Sequence, residues 1–170
     1  MKIVITGPES SGKTTLVEAL SIRLEIESIP EFARSYLENL NNKYKYEDLL
    51  IIAKEQQKAI DNKVQKGNLL IVDTDLLTIK IWSEYKFGKC DEWIIQTLNL
   101  KKPDLYLLCK PDIPWEADPL RENQNDREEL YQIYQEEIRK LEAPSVEISG
   151  SKEHRLSISI EAIQELINQS

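Results

Sequence analysis

The feature that most constrains this chain is a glycine-rich stretch near its start, GPESSGKTT at residues 7–15. It fits the pattern GxxxxGK[ST] in full and lies between an apolar run, KIVIT, and a stretch with helical periodicity. In such a loop the glycines allow a tight turn that brings main-chain N–H groups onto phosphates. The lysine reaches the β and γ phosphate oxygens, and the next hydroxyl can ligand Mg²⁺. The stretch therefore predicts a strand, a phosphate-binding loop and a helix that together bind a nucleoside triphosphate.

We assign this loop to ATP with Mg²⁺ as the metal. The chain lacks the asparagine-lysine-x-aspartate signature of guanine recognition, which favours ATP over GTP. The predicted ATP-binding residues are Gly7, Glu9, Ser10, Ser11, Gly12, Lys13, Thr14 and Thr15. Lys13 is also predicted to be catalytic, and the Thr14 hydroxyl is a predicted metal ligand.

Short apolar runs alternate along the chain with longer stretches of helical period, and several runs are continuously apolar, as expected for strands covered on both faces. The predicted strands are residues 2–6, 26–29, 69–73, 104–109 and 145–148. The predicted helices are residues 13–24, 47–66, 75–85, 91–98, 126–141 and 158–167. This alternation predicts an α/β fold with a parallel sheet. Because no linker-like or repeated segment interrupts it, we expect one domain over residues 1–170.

Charge and composition exclude several classes of function. The net charge of −8 argues against nonspecific binding to nucleic acid or to an anionic membrane. A single histidine, His154, leaves no material for histidine-based triads or metal sites. No stretch approaches the roughly 20 apolar residues that a membrane span needs, and the N-terminus does not resemble a signal peptide. We therefore expect a cytoplasmic protein with a small-molecule substrate; the sequence does not predict its oligomeric state.

A second landmark, LLIVDTD at residues 69–75, places two carboxylates at the end of an apolar strand. In a parallel sheet Asp73 would lie beside the phosphate loop, and we predict that it is a catalytic residue that binds Mg²⁺ through a bound water. Asp75 is a candidate substrate-binding residue. The alternative for Asp75 is equally favoured, because an aspartate at this place is well suited to cap the helix that follows.

The stretch IPEFAR at residues 29–34 follows the second predicted strand and faces the same crevice as the glycine loop. Glu31 is a candidate catalytic base that takes a proton from an acceptor hydroxyl, and Arg34 is a candidate for anchoring the acceptor or a phosphate oxygen. Both are predicted to bind substrate. The alternative is that Glu31 stabilises a helix N-terminus through the helix dipole.

A polar segment after the fourth predicted strand, WEADPLRENQNDREEL at residues 115–130, carries Arg121 and Arg127. Mobile arginines that close over a γ-phosphate stabilise charge in phosphoryl transfer and exclude water, so we predict that both are catalytic residues of a lid. The alternative is a solvated charged loop. Trp115 is the candidate aromatic contact for the substrate, because it lies in this loop rather than on an apolar stripe. We interpret Phe32, Tyr36, Trp82 and Tyr85 as core residues, since aromatic residues at helical spacing usually pack.

Four separated motifs, GPESSGKTTL, PEFAR, DTDLLTIKIWSEYKFG and KPDIPWEADPLRENQNDREEL, together resemble the kinase domain of the NadR-type ribosylnicotinamide kinases, an AAA-type P-loop kinase family. The resemblance extends from residue 1 to about residue 167. It implies a three-layer P-loop kinase fold with strand order 2-3-1-4-5. It also implies ATP-dependent phosphorylation of the 5′-hydroxyl of nicotinamide riboside in NAD salvage. NadR proteins usually carry a nucleotidylyltransferase domain ahead of this domain, whereas here the kinase motifs begin at Met1.

Two other functions fit the same motifs. One is a regulatory module whose ATP state controls a protein partner, with weak ATP hydrolysis and little acceptor chemistry. The other is a kinase with a different acceptor, such as a deoxynucleoside or a nucleotide. Glu31 and Asp73 both remain candidates for the general base.

Overall fold

The computed structural model describes residues 1–40, 43–64 and 69–169, which form a five-stranded sheet with helices on both faces. The strands are β1 (Lys2–Thr6), β2 (Ser28–Ile29), β3 (Leu70–Asp73), β4 (Leu105–Cys109) and β5 (Ser145–Ile148). The helices are α1 (Lys13–Leu24), α2 (Phe32–Glu38), α3 (Tyr46–Val64), α4 (Leu76–Phe87), α5 (Glu92–Leu100), α6 (Arg127–Lys140) and α7 (Lys152–Asn168).

The sheet is parallel throughout and has the strand order β2-β3-β1-β4-β5, which confirms the predicted order. The three central strands are buried along their whole length, whereas β5 at one edge exposes two of its four residues. This explains why the central strands are continuously apolar in sequence: both of their faces are covered by helices. Since β1 lies between β3 and β4, the loop that follows β1 opens at the middle of the sheet edge.

Alternate residues of the central strands belong to two separate apolar clusters. Val4 and Val72 pack with residues of α3, α4, α5 and α6 on one face of the sheet. Ile3, Ile5 and Ile71 pack with residues of α1 and α7 on the other. The period of two along each strand therefore produces a three-layer sandwich, as predicted.

The structure corrects three of the predicted elements. The second strand begins at Ser28 rather than at 26, because the N–H of Ile26 still bonds back to the oxygen of Ser21 at the end of α1. Helix α2 was not among the predicted helices, because its seven residues are too few to display a helical period, although the alternative for Glu31 placed that residue at a helix N-terminus, where it lies. Helix α7 begins at Lys152 rather than at 158, since Ser151 caps it by accepting from the N–H of His154. Residues 65 and 66, the end of the predicted helix 47–66, lie outside the described residues.

None of the helices formed by the described residues is both long and apolar enough to cross a lipid bilayer.

Gly7, where the chain leaves β1, is the tightest point of the loop backbone. Its φ is +136°, and a Cβ at this position would lie 2.5 Å from the main-chain oxygen of Cys109 in β4. We expect Gly7→Ala to lower the free energy of unfolding by about 3 kcal/mol, because it combines backbone strain with overpacking against main chain. The measurement is urea unfolding of the wild type and the variant.

Gly88, the residue that ends α4, provides the matched control. It also has a positive φ, +67°, but a Cβ there meets nothing within 4 Å. Gly88→Ala should cost only about 1 kcal/mol, the penalty of the left-handed backbone alone. Equal losses for the two variants would mean that the contact with Cys109 does not restrict position 7.

Candidate active site

The phosphate loop connects β1 to α1, and no side chain caps the first turn of that helix. Gly12 is the N-cap residue, with a φ of 80°. The first N–H groups of a helix have no partner within the helix, and they carry its positive dipole end. An uncapped N-terminus that follows a glycine-rich loop is therefore suited to bind an anion such as a phosphate.

A cavity of about 690 Å³ opens over this loop. All the predicted ATP-binding residues line it. Further lining residues follow the ends of the other strands: Glu31, Ala33, Arg34 and Leu37 after β2; Thr78, Ile81, Trp82 and Tyr85 after β3; and Gly150, Ser151, Lys152, Glu153, Arg155 and Leu156 after β5. Because parallel strands end at one edge, segments that are distant in sequence meet in a single crevice.

Thr14 and Asp73, the two predicted metal ligands, are in direct contact. The Thr14 hydroxyl donates to Oδ2 of Asp73 at 2.7 Å. The second carboxylate oxygen of Asp73, Oδ1, is buried and has no hydrogen-bond partner. Burial raises the pKa of Asp73, and the charge of Lys13 and the Thr14 bond oppose that rise. A buried carboxylate oxygen without a partner, beside a hydroxyl, suits a hard cation.

The surroundings of this pair fit Mg²⁺ better than a metal held by protein alone. In the part of the chain that the structure describes, no three His, Cys, Asp or Glu side chains are grouped to hold a metal ion. Mg²⁺ commonly takes one or two protein ligands and completes its shell with phosphate oxygens and water. Thr14 and Asp73 match that requirement.

Glu31 lies at the N-cap of α2 and lines the cavity. Burial raises the pKa of its carboxyl group; Lys13 lowers it and Asp73 raises it further. The structure thus brings Glu31, Lys13 and Thr14 around one cavity. Asp73 does not line the cavity but is buried beside it, bonded to Thr14. The Glu31 side chain makes no capping hydrogen bond to α2, so its place at the helix start does not use its carboxylate oxygens.

Asp75 has the capping role rather than a place in the cavity. It is 2% exposed, accepts from the N–H of Leu77 at 3.0 Å and accepts from the Tyr106 hydroxyl at 2.9 Å. Since both of its oxygens are used inside the protein, the structure does not support the prediction that Asp75 binds substrate.

Thr74 separates the two aspartates and has a left-handed backbone, with a φ of 63°. Its N–H donates to the oxygen of Ile5 at 3.0 Å, and its own oxygen accepts from the Gln56 side chain at 3.3 Å. These bonds hold a conformation that is uncommon for a β-branched residue. As a result, Asp73 contacts Thr14 while Asp75 turns towards α4 and the core.

The segment between β4 and α6 lies on the phosphate loop as a lid, which we define as residues 111–126. Glu9 accepts from the N–H groups of Glu122 and Asn123, each at 2.9 Å. The Ser10 hydroxyl accepts from the N–H of Glu116 at 2.9 Å. Glu9 thus contributes its carboxylate to lid attachment, a role that the motif alone does not indicate.

Arg34 connects α2 to the same lid. Its guanidinium donates to Asp118 at 2.8 Å and to Glu38 at 3.4 Å. The pKa of Asp118 is lowered by a bond from the N–H of Leu120 and by Arg34. In this structure Arg34 therefore contacts the lid, although it also lines the cavity as predicted.

The two predicted lid arginines differ in position. Arg121 lines the cavity and donates to the oxygen of Glu116 at 2.5 Å. Arg127 instead donates to the main-chain oxygens of Ser10 and Ile113, at 3.2 and 3.0 Å.

Arg127 and Trp115 are not among the described residues that line the cavity. Trp115 packs under both guanidinium groups, with its ring centre 6.0 and 5.7 Å away, because these flat cations favour an aromatic face.

Three residues of the cavity were not anticipated in these places. Trp82 and Tyr85, interpreted as core, line the cavity, although Trp82 also packs against the apolar cluster, as Phe32 and Tyr36 do. Arg155 at the start of α7 also lines the cavity and is 5% exposed. No local pattern marks Arg155, since it lies in a polar run ahead of the predicted helix.

Comparison with known proteins gives a family and a close structural likeness. A family model described as AAA domain matches residues 2–155. The chain is 27% identical over 178 residues to the trifunctional NAD biosynthesis/regulator protein NadR of Escherichia coli (strain K12). That alignment covers 98% of this chain and 43% of the relative, so the chain spans less than half the length of this curated protein.

Solved structures share the fold. A crystal structure of NadR in complex with NR (nicotinamide riboside) has a TM-score of 0.78 at 21% identity, covering 97% of this chain and 51% of that one. NadR in complex with NAD and AMP-PNP has a TM-score of 0.79 at 20% identity, covering 97% and 49%. Deoxyadenosine kinase from M. mycoides, with products dCMP and dCDP bound, has a TM-score of 0.70 at 17% identity, covering 97% and 100%. At these identities the likeness establishes a common fold.

Proposed function

The chain belongs to the AAA domain family, and from that premise we propose that it is a single-domain, cytoplasmic, ATP-dependent kinase whose acceptor is the 5′-hydroxyl of nicotinamide riboside. The product is nicotinamide mononucleotide. The observation that carries the proposal is that Glu31 lines the same cavity as Lys13 and Thr14, and that Asp73 lies directly behind this lining, in contact with the Thr14 hydroxyl. A phosphate donor and an alcohol acceptor can meet there. The NadR relative and the NadR complexes with NR and with AMP-PNP support this choice of substrates.

The donor side is formed by the phosphate loop. Main-chain N–H groups of the loop and of the first turn of α1 receive the phosphates, and Lys13 neutralises charge on the β and γ groups. Thr14 and Asp73 would hold Mg²⁺, which would stabilise negative charge on the phosphates when bound.

The acceptor side is aromatic and apolar with one carboxylate. Trp82, Tyr85 and Tyr134 line it, together with the apolar Leu37 and Ile81. Nicotinamide riboside is a flat cationic ring on a ribose, so aromatic faces suit the ring, and Glu31 suits the sugar hydroxyl.

For the general base we favour Glu31 over Asp73. Asp73 already accepts from Thr14 and has its remaining oxygen beside the metal position. Burial raises the pKa of both carboxyl groups, which makes either carboxylate a better proton acceptor, but of the two only Glu31 lines the cavity where the acceptor would bind. Positioning and electrostatic stabilisation then account for most of the rate, with Arg121 closing the cavity from the lid.

The likeness to deoxyadenosine kinase favours a second candidate, a kinase of another nucleoside. The regulator activity in the name of the NadR relative favours a third, a module that binds ATP to control a partner and hydrolyses it slowly.

A panel assay decides among the three. The protein is incubated with ATP and Mg²⁺ alone, with nicotinamide riboside, with deoxyadenosine and with adenosine, and ADP release is measured. We expect ADP release to depend on nicotinamide riboside and a phosphorylated riboside to appear in equal amount. ADP release that depends only on deoxyadenosine or adenosine would show that this nucleoside, and not nicotinamide riboside, is the acceptor. Slow ADP release at the same rate with and without each nucleoside would support the regulatory module instead.

A further inference from the structure

Cationic side chains donate to the main-chain oxygens of the phosphate loop. Lys13 donates to the oxygen of Pro8 at 2.7 Å, Arg127 to that of Ser10 at 3.2 Å and Arg155 to that of Ser11 at 3.0 Å. Arg127 and Arg155 come from helices that follow β4 and β5, more than 100 residues away in sequence. Two distant helices thus contact successive carbonyls of one short loop.

Arg155 is fixed by several bonds at once. It is 5% exposed and donates to the main-chain oxygens of Gly150 and Lys110, each at 2.9 Å, as well as to that of Ser11. Its charge is balanced by Asp112, which accepts from the same guanidinium. Since a planar guanidinium has five donors in a rigid arrangement, these bonds define the place of the Ser11 oxygen.

Arg127 is fixed in a different way. One terminal nitrogen donates to the oxygens of Ser10 and Ile113, and the guanidinium carbon lies 5.7 Å from the centre of the Trp115 ring. The aromatic face and the two carbonyls restrict the side chain although it is only partly buried.

The orientation of a carbonyl determines that of the next amide. The chain has no cis peptide bond among its described residues, and in a trans peptide the C=O and the following N–H point in opposite directions. Holding the oxygens of Ser10 and Ser11 outward therefore directs the N–H groups of Ser11 and Gly12 to the other side of the loop. Ser10 and Gly12 have φ angles of 52° and 80°, and alternation of left-handed residues makes successive amides converge on an anion.

We propose that Arg127 and Arg155 are positioning residues that preorganise the amide groups of the phosphate loop for the phosphate chain of the nucleotide. The inference rests on the proposed binding of ATP at this loop and assigns Arg127 a role different from that of a lid arginine. Neither side chain needs to touch the phosphates: each acts through the carbonyl that it holds.

The test uses inorganic tripolyphosphate with Mg²⁺ as the probe and calorimetry as the measurement. Arg155→Lys keeps the positive charge but cannot span the three carbonyls. We expect its affinity for tripolyphosphate to fall about tenfold or more. Arg127→Lys should lose about fivefold. The control is Arg139→Lys, on the exposed last turn of α6, which should bind as the wild type does.

Thermal unfolding separates positioning from a structural role. Binding is measured well below the unfolding midpoint of each variant, so that all the protein is folded. Tripolyphosphate affinity that is unchanged in both variants overturns the proposal, whatever their midpoints. If Arg155→Lys does not fold, Arg127→Lys decides by the same criterion.

The outcome is independent of the acceptor. If the wild-type protein binds tripolyphosphate but phosphorylates no nucleoside, only the proposed kinase activity is wrong, and the role of the two arginines is still supported by the variants. Wild-type protein that binds no tripolyphosphate overturns the inference.

Discussion

Replacing Lys13 by alanine is expected to abolish phosphoryl transfer, with at least about a thousandfold loss of kcat/KM for ATP. In the structure the Lys13 ammonium group lies in the cavity and donates to the oxygen of Pro8 at 2.7 Å. A triphosphate would exchange this neutral acceptor for charged oxygens, which form stronger bonds with an ammonium group. The alanine variant loses that charge at the point where negative charge develops. The measurement is ADP release in the presence of nicotinamide riboside.

The fold should survive this substitution. The variant loses one hydrogen bond to Pro8, worth about 1 kcal/mol, which corresponds to a shift of roughly 2–4 °C in the unfolding midpoint. Lys58→Ala, on the exposed side of α3, removes the same charge away from the cavity and should change neither activity nor midpoint by a measurable amount. Full turnover in Lys13→Ala would show that phosphoryl transfer does not need Lys13 and would contradict the proposed mechanism.

Replacing Glu31 by glutamine should lower kcat by roughly 10²–10⁴-fold while leaving the affinity for ATP nearly unchanged. The amide has almost the shape of the carboxyl group but cannot accept the hydroxyl proton. Because Glu31 lies on the acceptor side of the cavity, its loss should not disturb the amides that receive phosphates. The measurements are single-turnover transfer and calorimetric binding of ATP.

Glu38→Gln is the matched control for Glu31→Gln. Glu38 lies on the same helix, α2, and its side chain is 57% exposed, paired only weakly with Arg34. This control should keep wild-type transfer. A parallel loss of transfer and of ATP affinity in Glu31→Gln would show that Glu31 supports the loop structurally and is not the base.

The pH dependence follows from the same residue. Glu31 must be ionised to accept a proton, and burial raises the pKa of its carboxyl above the ordinary value of 4.5. Protonated, inactive enzyme therefore accumulates as the pH falls through that raised pKa. The acid limb of kcat/KM for the nucleoside should lie above pH 4.5, and activity should increase as the pH rises through it.

Local sequence was sufficient for most of the fold. The continuous apolar runs that became β1, β3 and β4 have their character because helices cover both faces, so they were recognisable as strands without any knowledge of the sheet. Strand order was different: it came from the family resemblance, since alternation of strands and helices fits several orders. The short helix α2 was missed because seven residues hold less than two full turns of periodic signal.

Site residues could be predicted from the sequence where their position depends only on the strand at whose carboxyl end they lie. Asp73 ends a strand, and Lys13, Thr14 and Glu31 lie in segments that follow one; parallel pairing brings such positions together. The contacts of Arg127 and Arg155 with the phosphate loop could not be predicted in this way. Their partners there are main-chain carbonyls more than 100 residues away in sequence. Since every residue has such a carbonyl, the sequence does not indicate which of them a side chain will bind.

The left-handed turn at Thr74 has a consequence for how such a chain can change. Because that single backbone reversal sends Asp73 to the Thr14 hydroxyl and Asp75 into the interior, two nearby acidic residues serve unrelated requirements. A substitution at position 73 breaks a bond to the phosphate loop, whereas a substitution at position 75 breaks the cap of α4 and a bond to β4. The two carboxylates can therefore evolve under separate constraints although only one residue lies between them.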